Sequence, residues 1–230
     1  MTLSAYREYV QKTPNEWSRL DALTDVTISR FYRDRSVFDF LLSEVFPALV
    51  KRADDAGSRS VRVWSTGCAN GEEPYTLGIM WEMEVAATAS GKRLQILATD
   101  IKPAVLDRAN DARYPPSSVR DLPGNWREAA FSRDGDEMVL RPRFRRNVTF
   151  AQHDIRLGPS AEMEAFDLVM CRYQAFTYFD TVGQRNTLAA LSRVTRPGAV
   201  LVLGRRESLP SGEVRFRPLA QHLGVFQRNL

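Results

Sequence analysis

Apolar side chains first recur at helical spacing across residues 36–52, SVFDFLLSEVFPALVKR, where Phe38, Leu41, Leu42, Val45, Phe46 and Leu49 form one stripe. That spacing predicts an amphipathic helix, with Pro47 bending it. Residues 1–23 also read as helical, with a break near Thr13-Pro14, where proline can open a second helix. From residue 60 the pattern changes to short apolar runs separated by longer helical stretches. SVRVWS (60–65), LQILATD (94–100), VTFAQH (148–153), FDLVMC (166–171) and AVLVLGR (199–205) are predicted strands. Helices are predicted from Glu72 to about Thr88, over 102–112 and over 182–195, the last closed by Pro197-Gly198.

Strands alternating with helices at this spacing argue for an α/β fold, a doubly wound and mostly parallel sheet covered on both faces. Two stretches break the alternation. Residues 131–150, FSRDGDEMVLRPRFRRNVTF, hold an Asp134-Gly135 turn and read as a small antiparallel β insertion. The tail EVRFRPLAQHLGVFQRN (213–229) reads as two short strands around a Leu-Gly turn, suited to the edge of an otherwise parallel sheet. The expected organisation is a helical segment over 1–35, followed by one domain over 36–230 that carries the insertion at about 131–150.

Composition changes this picture little. The chain has 230 residues, 43% hydrophobic and 26% charged, ordinary for a folded protein. No apolar run is long enough to cross a bilayer, and the start lacks the apolar stretch of a secretory signal, so no membrane insertion is expected and the cytoplasm is the expected compartment. Two cysteines and two histidines are too few for a disulfide framework or a zinc site, so no metal is expected. The net charge of +4 is concentrated in RPRFRRN (141–147) and at Arg205, Arg206, Arg215 and Arg217. This reads as a solvated, arginine-protected edge strand, with a protein partner at the insertion as the functional alternative. Without an aromatic-interleaved recognition motif, nucleic acid is disfavoured.

The candidate chemistry lies at strand ends, where doubly wound sheets bind ligands. After the first strand comes STGCANGEE (65–73), in which Gly67 and Gly71 allow the backbone to approach a ligand. Glu72 and Glu73 stand where a dinucleotide's pyrophosphate would rest on a helix N-terminus. They would repel a diphosphate but could pair with the α-ammonium of a methionine moiety, which favours S-adenosylmethionine (SAM) over NAD or ATP. The competing reading is that acids in a first helical turn offset the helix dipole. Asp100 ends the second strand and can accept from both ribose hydroxyls of a nucleoside, or cap the helix that contains Pro103. Asp154, after VTFAQH, could accept from an adenine amine.

These residues fall into blocks that resemble the CheR family of chemoreceptor carboxyl methyltransferases. WSTGCANGEEPYTL (64–77) is similar to the family's loop around GEEPY, and RFYRD (30–34) to its FFRE segment. ATDIKPAVLDRANDARY (98–114), FDLVMCRYQAFTYFD (166–180) and LVLGRRESL (201–209) are similar to its second-strand block, its FDLIFCRN…YFD signature and its LxxGxxE strand. The resemblance implies a SAM-methyltransferase, Rossmann-like sheet with a small β insertion. It implies cofactor contacts at Ser29, Arg33, Gly67, Glu72, Asp100, Asp154 and Ile155, with backbone near Cys171 and Arg172. It further implies active-site roles for Arg33 and Tyr178, and S-adenosylhomocysteine as the product.

The chain departs from that pattern at Tyr173 and Asp154, where the family has asparagine, and the segment before YFD is one residue longer. Family members that act on chemoreceptors carry a longer helical N-terminal domain with a basic docking helix, so a docking surface is expected to be missing or supplied by a partner. The expected activity is methyl transfer from SAM to a carboxylate such as a protein glutamyl side chain. Two alternatives are a small-molecule methyltransferase on the same scaffold and a non-catalytic SAM-binding or partner-binding module.

Overall fold

A computed structural model of the chain describes residues 2–13, 16, 29–160, 163 and 165–229. Helix α1 (Leu3–Lys12) stops at Thr13, whose backbone is extended, as a residue preceding proline prefers. The rest of the helical stretch expected over 1–23 lies outside the described residues, Glu16 aside. Helix α2 runs over 35–55 as Arg35–Phe40, a π turn at Leu41–Val45, and Phe46–Asp55. Pro47 has no N–H to donate, and the turn before it loosens so that Phe46 bonds the carbonyl of Leu41, five residues back. The expected stripe points inward: Phe38, Leu41, Val45, Phe46 and Leu49 are buried, with Leu42 packed at the core's edge.

The main sheet begins with β1 (Ser60–Thr66), and α3 follows over 72–85 as Glu72–Met80 and a π turn at Trp81–Val85. Next come β2 (Arg93–Asp100) and α4 (Pro103–Asp111). A three-stranded antiparallel sheet is built from β3 (Arg113–Tyr114), β4 (Phe131–Asp134) and β5 (Glu137–Leu140), in the order β3-β5-β4, with α5 (Gly124–Ala130) leading into β4. Gly135 takes a positive φ at the two-residue turn between Asp134 and Glu137, matching the expected turn chemistry. Then α6 (Pro142–Arg145) leads to β6 (Val148–Gln152), β7 (Phe166–Met170), α7 (Ala175–Tyr178), α8 (Thr181–Val194), β8 (Thr195–Val202), β9 (Phe216–Ala220) and β10 (Val225–Arg228).

The seven-stranded sheet has the order β6-β2-β1-β7-β8-β10-β9, and only β10 runs against the rest. This is the doubly wound, mostly parallel α/β fold expected, and the terminal hairpin lies at one edge. Buried apolar residues fill both faces: Leu168, Met170, Val200 and Val202 face one cluster, while Val169, Leu201 and Leu203 face the other. Continuous burial of this kind suits parallel strands covered on both sides. The chain winds from β1 outward to β2 and β6, then crosses back to β7 and β8. The order therefore switches between β1 and β7, and an opening lies beyond their carboxyl ends, where doubly wound sheets bind ligands.

Two stretches differ from the sequence reading. The β insertion expected over 131–150 is shorter, because Val148–Gln152 pairs in parallel with β2 and belongs to the main sheet. The arginine-rich 141–147 stretch is not an edge strand: Phe144 is buried, while Arg146 pairs with Glu82 at 2.8 Å and Arg143 at 3.8 Å. The segment expected over 1–35 also reaches the main core near its end. Phe31 and Tyr32 lie in the main core, and their backbone N–H groups bond Ser118 O at 3.1 Å and Thr76 Oγ1 at 3.1 Å.

Candidate active site

The loop leaving β1 turns sharply at Gly67, whose φ of 62° suits glycine, and a Cβ there would lie 2.7 Å from Gln174 Cδ. The Cys68 N–H bonds Thr99 O at 3.0 Å, tying the loop to the end of β2. Burial among the neighbouring acids raises the Cys68 thiol well above its usual range, which makes it an inert structural thiol. Asp100 accepts from the Ala69 N–H at 3.0 Å through Oδ2 and from the Lys102 N–H at 3.1 Å through Oδ1. It is not the helix cap: α4 is capped by Lys102, without a side-chain bond. The half-buried carboxylate joins two strand-end loops and keeps lone pairs for donors in the cleft.

Glu72 and Glu73 start α3 side by side and have separate fates. Glu73 accepts from Ser65 Oγ at 2.8 Å and from Arg172 Nη1 at 3.0 Å, so it belongs to an internal network. Glu72 is only 3% exposed, and its Oε2 has no hydrogen-bond partner. Burial pushes its carboxyl above the usual range, and its own backbone N–H and nearby polar groups pull it back only part of the way. Ser118 Oγ and Arg30 Nε are also buried without partners, and the three groups line one cavity of about 700 Å³. Such a cluster is what a bound charged or polar ligand would satisfy.

Arg172, at the end of β7, is the hub of the neighbouring loop. Its guanidinium donates to Asp34 Oδ2 at 2.6 Å, Arg33 O at 3.0 Å and Glu73 Oε2 at 3.0 Å. Asp34 Oδ2 also accepts from the Tyr173 hydroxyl at 2.6 Å. Glu207 clamps the loop from beyond β8, accepting from the backbone N–H groups of Tyr173 at 2.8 Å and Gly204 at 2.6 Å and from the Thr177 hydroxyl. The Tyr173 ring lies against Gly204, where a Cβ would come within 2.5 Å of it. Tyr32, Asp34, Ala69 and Tyr173 all hold positive φ, and they fall in the segments bordering the opening. Backbone strain of order 1 kcal/mol each is tolerated where surrounding bonds over-determine the loop.

A cleft of about 410 Å³ lies at the switch between β1 and β7. Of the sequence-expected residues it gathers Ser29, Arg33, Gly67, Asp100, Arg172 and Tyr178. Glu72 lines the adjoining cavity, which shares Ser29 and Arg30 with the cleft. Asp154 does not line the cleft: its carboxylate caps the turn Ile155–Leu157 and is gripped by Arg156 at 2.6 Å, which holds it below the usual carboxylate range. Ile155 is buried against Trp64 and Phe166, and Cys171 is fully buried, its thiol pushed up to about 12 by desolvation. Tyr178 is 79% exposed at the rim. Asp34, Tyr173, Gln174 and Glu207 were not among the expected site residues. The RFYRD and LxxGxxE blocks contain Asp34 and Glu207, but the partner they share, Tyr173, sits 139 and 34 residues away from them.

Among the described residues, no group of His, Cys, Asp and Glu is arranged to hold a metal ion, and no helix is long and apolar enough to cross a membrane. Residues 27–225 match the family described as CheR methyltransferase, SAM binding domain. The chain is 32% identical over 209 residues to a chemotaxis protein methyltransferase of Listeria monocytogenes, covering 91% of this chain and 76% of that protein. It is 24% identical over 207 residues to a chemotaxis protein methyltransferase of Borreliella burgdorferi, covering 89% and 73%. Chemotaxis protein methyltransferase 2 of Vibrio cholerae is 30% identical over 195 residues, covering 83% and 65%.

Proposed function

Because the chain belongs to the CheR methyltransferase family and is a SAM-dependent methyltransferase, we propose that it methylates a carboxylate oxygen, specifically a glutamyl side chain of a chemoreceptor protein. The observation that carries this reading is the lining of one cleft: Arg33 and Tyr178 share it with Asp100. Acidic and basic groups are thereby divided between a cationic nucleoside cofactor and an anionic acceptor.

The residues fit that cofactor. Glu72 Oε2, buried and unpartnered, suits an α-ammonium group, and Asp100 suits ribose hydroxyls. Ser29 and Gly67 complete the lining, Gly67 by letting a ligand approach the backbone closely. Arg172 lines the cleft, whereas Asp154, Ile155 and Cys171 do not. When bound, SAM supplies an electrophilic methyl on a sulfonium. The protein need not remove a proton, because a glutamyl carboxylate with a pKa of about 4.3 is already ionised at neutral pH. What this chain supplies is grip and aim: paired Arg33 N–H groups for the acceptor carboxylate, one Tyr178 hydroxyl donor, and a cleft that limits water.

The test is transfer of labelled methyl from SAM to the cytoplasmic fragment of a chemoreceptor. Label is expected in the protein and released as methanol by mild base, as a carboxyl methyl ester requires. It should be lost when the receptor's methyl-accepting glutamates are changed to alanine. Base-stable label, or label that appears only in small molecules, would refute the proposed acceptor.

A further inference from the structure

We infer that Tyr173 is a positioning residue whose ring is the platform that orients the Arg33 guanidinium in the cleft. The inference rests on the acceptor-gripping role proposed for Arg33. The Arg33 Cζ lies 4.4 Å from the Tyr173 ring centroid, within the range of a cation–π contact. A guanidinium stacked through its face keeps its edge N–H groups in one plane, the orientation that a bidentate carboxylate contact needs.

The platform is fixed from three directions. Its backbone holds a φ of 55°, costly for a tyrosine, and is pinned by the N–H to Glu207 bond at 2.8 Å. The Cδ1–Cε1 edge of the ring lies against Gly204, where a Cβ would come within 2.6 Å of both atoms. Its hydroxyl donates to Asp34 Oδ2 at 2.6 Å, and that oxygen also accepts from Arg172. Desolvation and Asp34 both raise the Tyr173 hydroxyl above its usual range, so it remains a neutral donor. The ring therefore has little freedom to slide, and the nearer of the two cations over it, Arg33 at 4.4 Å against Arg172 at 5.6 Å, inherits that order. Arg33 lies next to Asp34 in the chain, so the hydroxyl bond also ties the ring to the segment that carries the guanidinium. The asparagine of the family pattern has no ring to offer here. This chain thus obtains its arginine geometry from a residue that the pattern lacks.

The test uses the full chain, labelled with nitrogen-15 and bound to S-adenosylhomocysteine. Ring current should move the Arg33 Nε–Hε resonance upfield in the native protein and in Tyr173→Phe, and Tyr173→Leu should return it to the ordinary position. With the receptor fragment as acceptor, Tyr173→Leu should lower kcat/KM about tenfold, chiefly through acceptor KM. Tyr173→Phe should restore most of that loss, and S-adenosylhomocysteine affinity should be unchanged in both. Combined with Arg33→Ala, Tyr173→Leu should cost nothing further, as expected when one residue acts through the other. An unshifted native resonance, or an additive loss in the double variant, would overturn the inference. If the leucine variant fails to fold, the native resonance decides. If the native protein shows the shift but methylates no receptor fragment, the acceptor reading fails while the platform stands.

Discussion

Replacing Arg172 by glutamine tests whether the loop around the cleft is held by charge. The Arg172 side chain is 4% exposed, and its two carboxylate partners, Asp34 and Glu73, are 21% and 16% exposed. Removing the guanidinium eliminates contacts at 2.6 and 3.0 Å to those acids and one at 3.0 Å to Arg33 O, leaving two poorly solvated anions facing each other. Breaking a buried pair by deleting one partner costs about 3–5 kcal/mol. Two features place this case at the lower limit: both acids keep some contact with water, and the Arg172 Nε is itself buried without a partner, a penalty the native protein already carries. We expect a loss of about 3 kcal/mol, or roughly 6–12 °C in Tm for a chain of this size. Urea unfolding followed by circular dichroism should show a lower midpoint with an unchanged slope. Arg172→Lys should recover less than half, because an ammonium cannot span both acids and the carbonyl in one plane. A change within about 0.5 kcal/mol for Arg172→Gln would show that the cluster contributes no more than an exposed ion pair.

The raised Glu72 carboxyl binds a proton more readily folded than unfolded, so the ligand-free protein should lose stability as pH rises from the ordinary glutamate range, and Glu72→Gln should flatten that slope in pH-dependent melts. The same proton competes with a cationic ligand, so S-adenosylhomocysteine affinity measured by calorimetry should fall as pH is lowered through this range. Glu72→Gln should weaken it by about 1.5–3 kcal/mol at neutral pH. Gly204→Ala should cost about 1–3 kcal/mol by overpacking, because its methyl would meet a Tyr173 ring that cannot retreat, and a thermal melt will read it. Tyr178→Phe should leave Tm unchanged, the side chain being 79% exposed, while lowering the rate of methyl transfer.

Periodicity alone determined much of this protein: the amphipathic helix over 36–52, the strand–helix alternation from residue 60, and the antiparallel hairpin at the end. These follow from local burial, since a buried face imposes its period on the chain that forms it. The candidate site was partly legible for the same reason: a strand end in a doubly wound sheet is a binding position whatever its partners. Tertiary structure decided the rest, because charge can be allotted only once distant segments meet. Nothing local distinguishes Glu72 from Glu73, yet Arg172 arrives from 99 residues away to neutralise one, and the other is buried with an oxygen unpartnered. Asp154 is the exception, a local one: it read as a ligand group, but the turn it caps brings Arg156, two residues on, onto its carboxylate. Tyr173 stood out in sequence only as a departure. Its meaning depends on a glycine 31 positions on and on Asp34, 139 positions back, since a ring becomes a platform only when its edge and its hydroxyl are held.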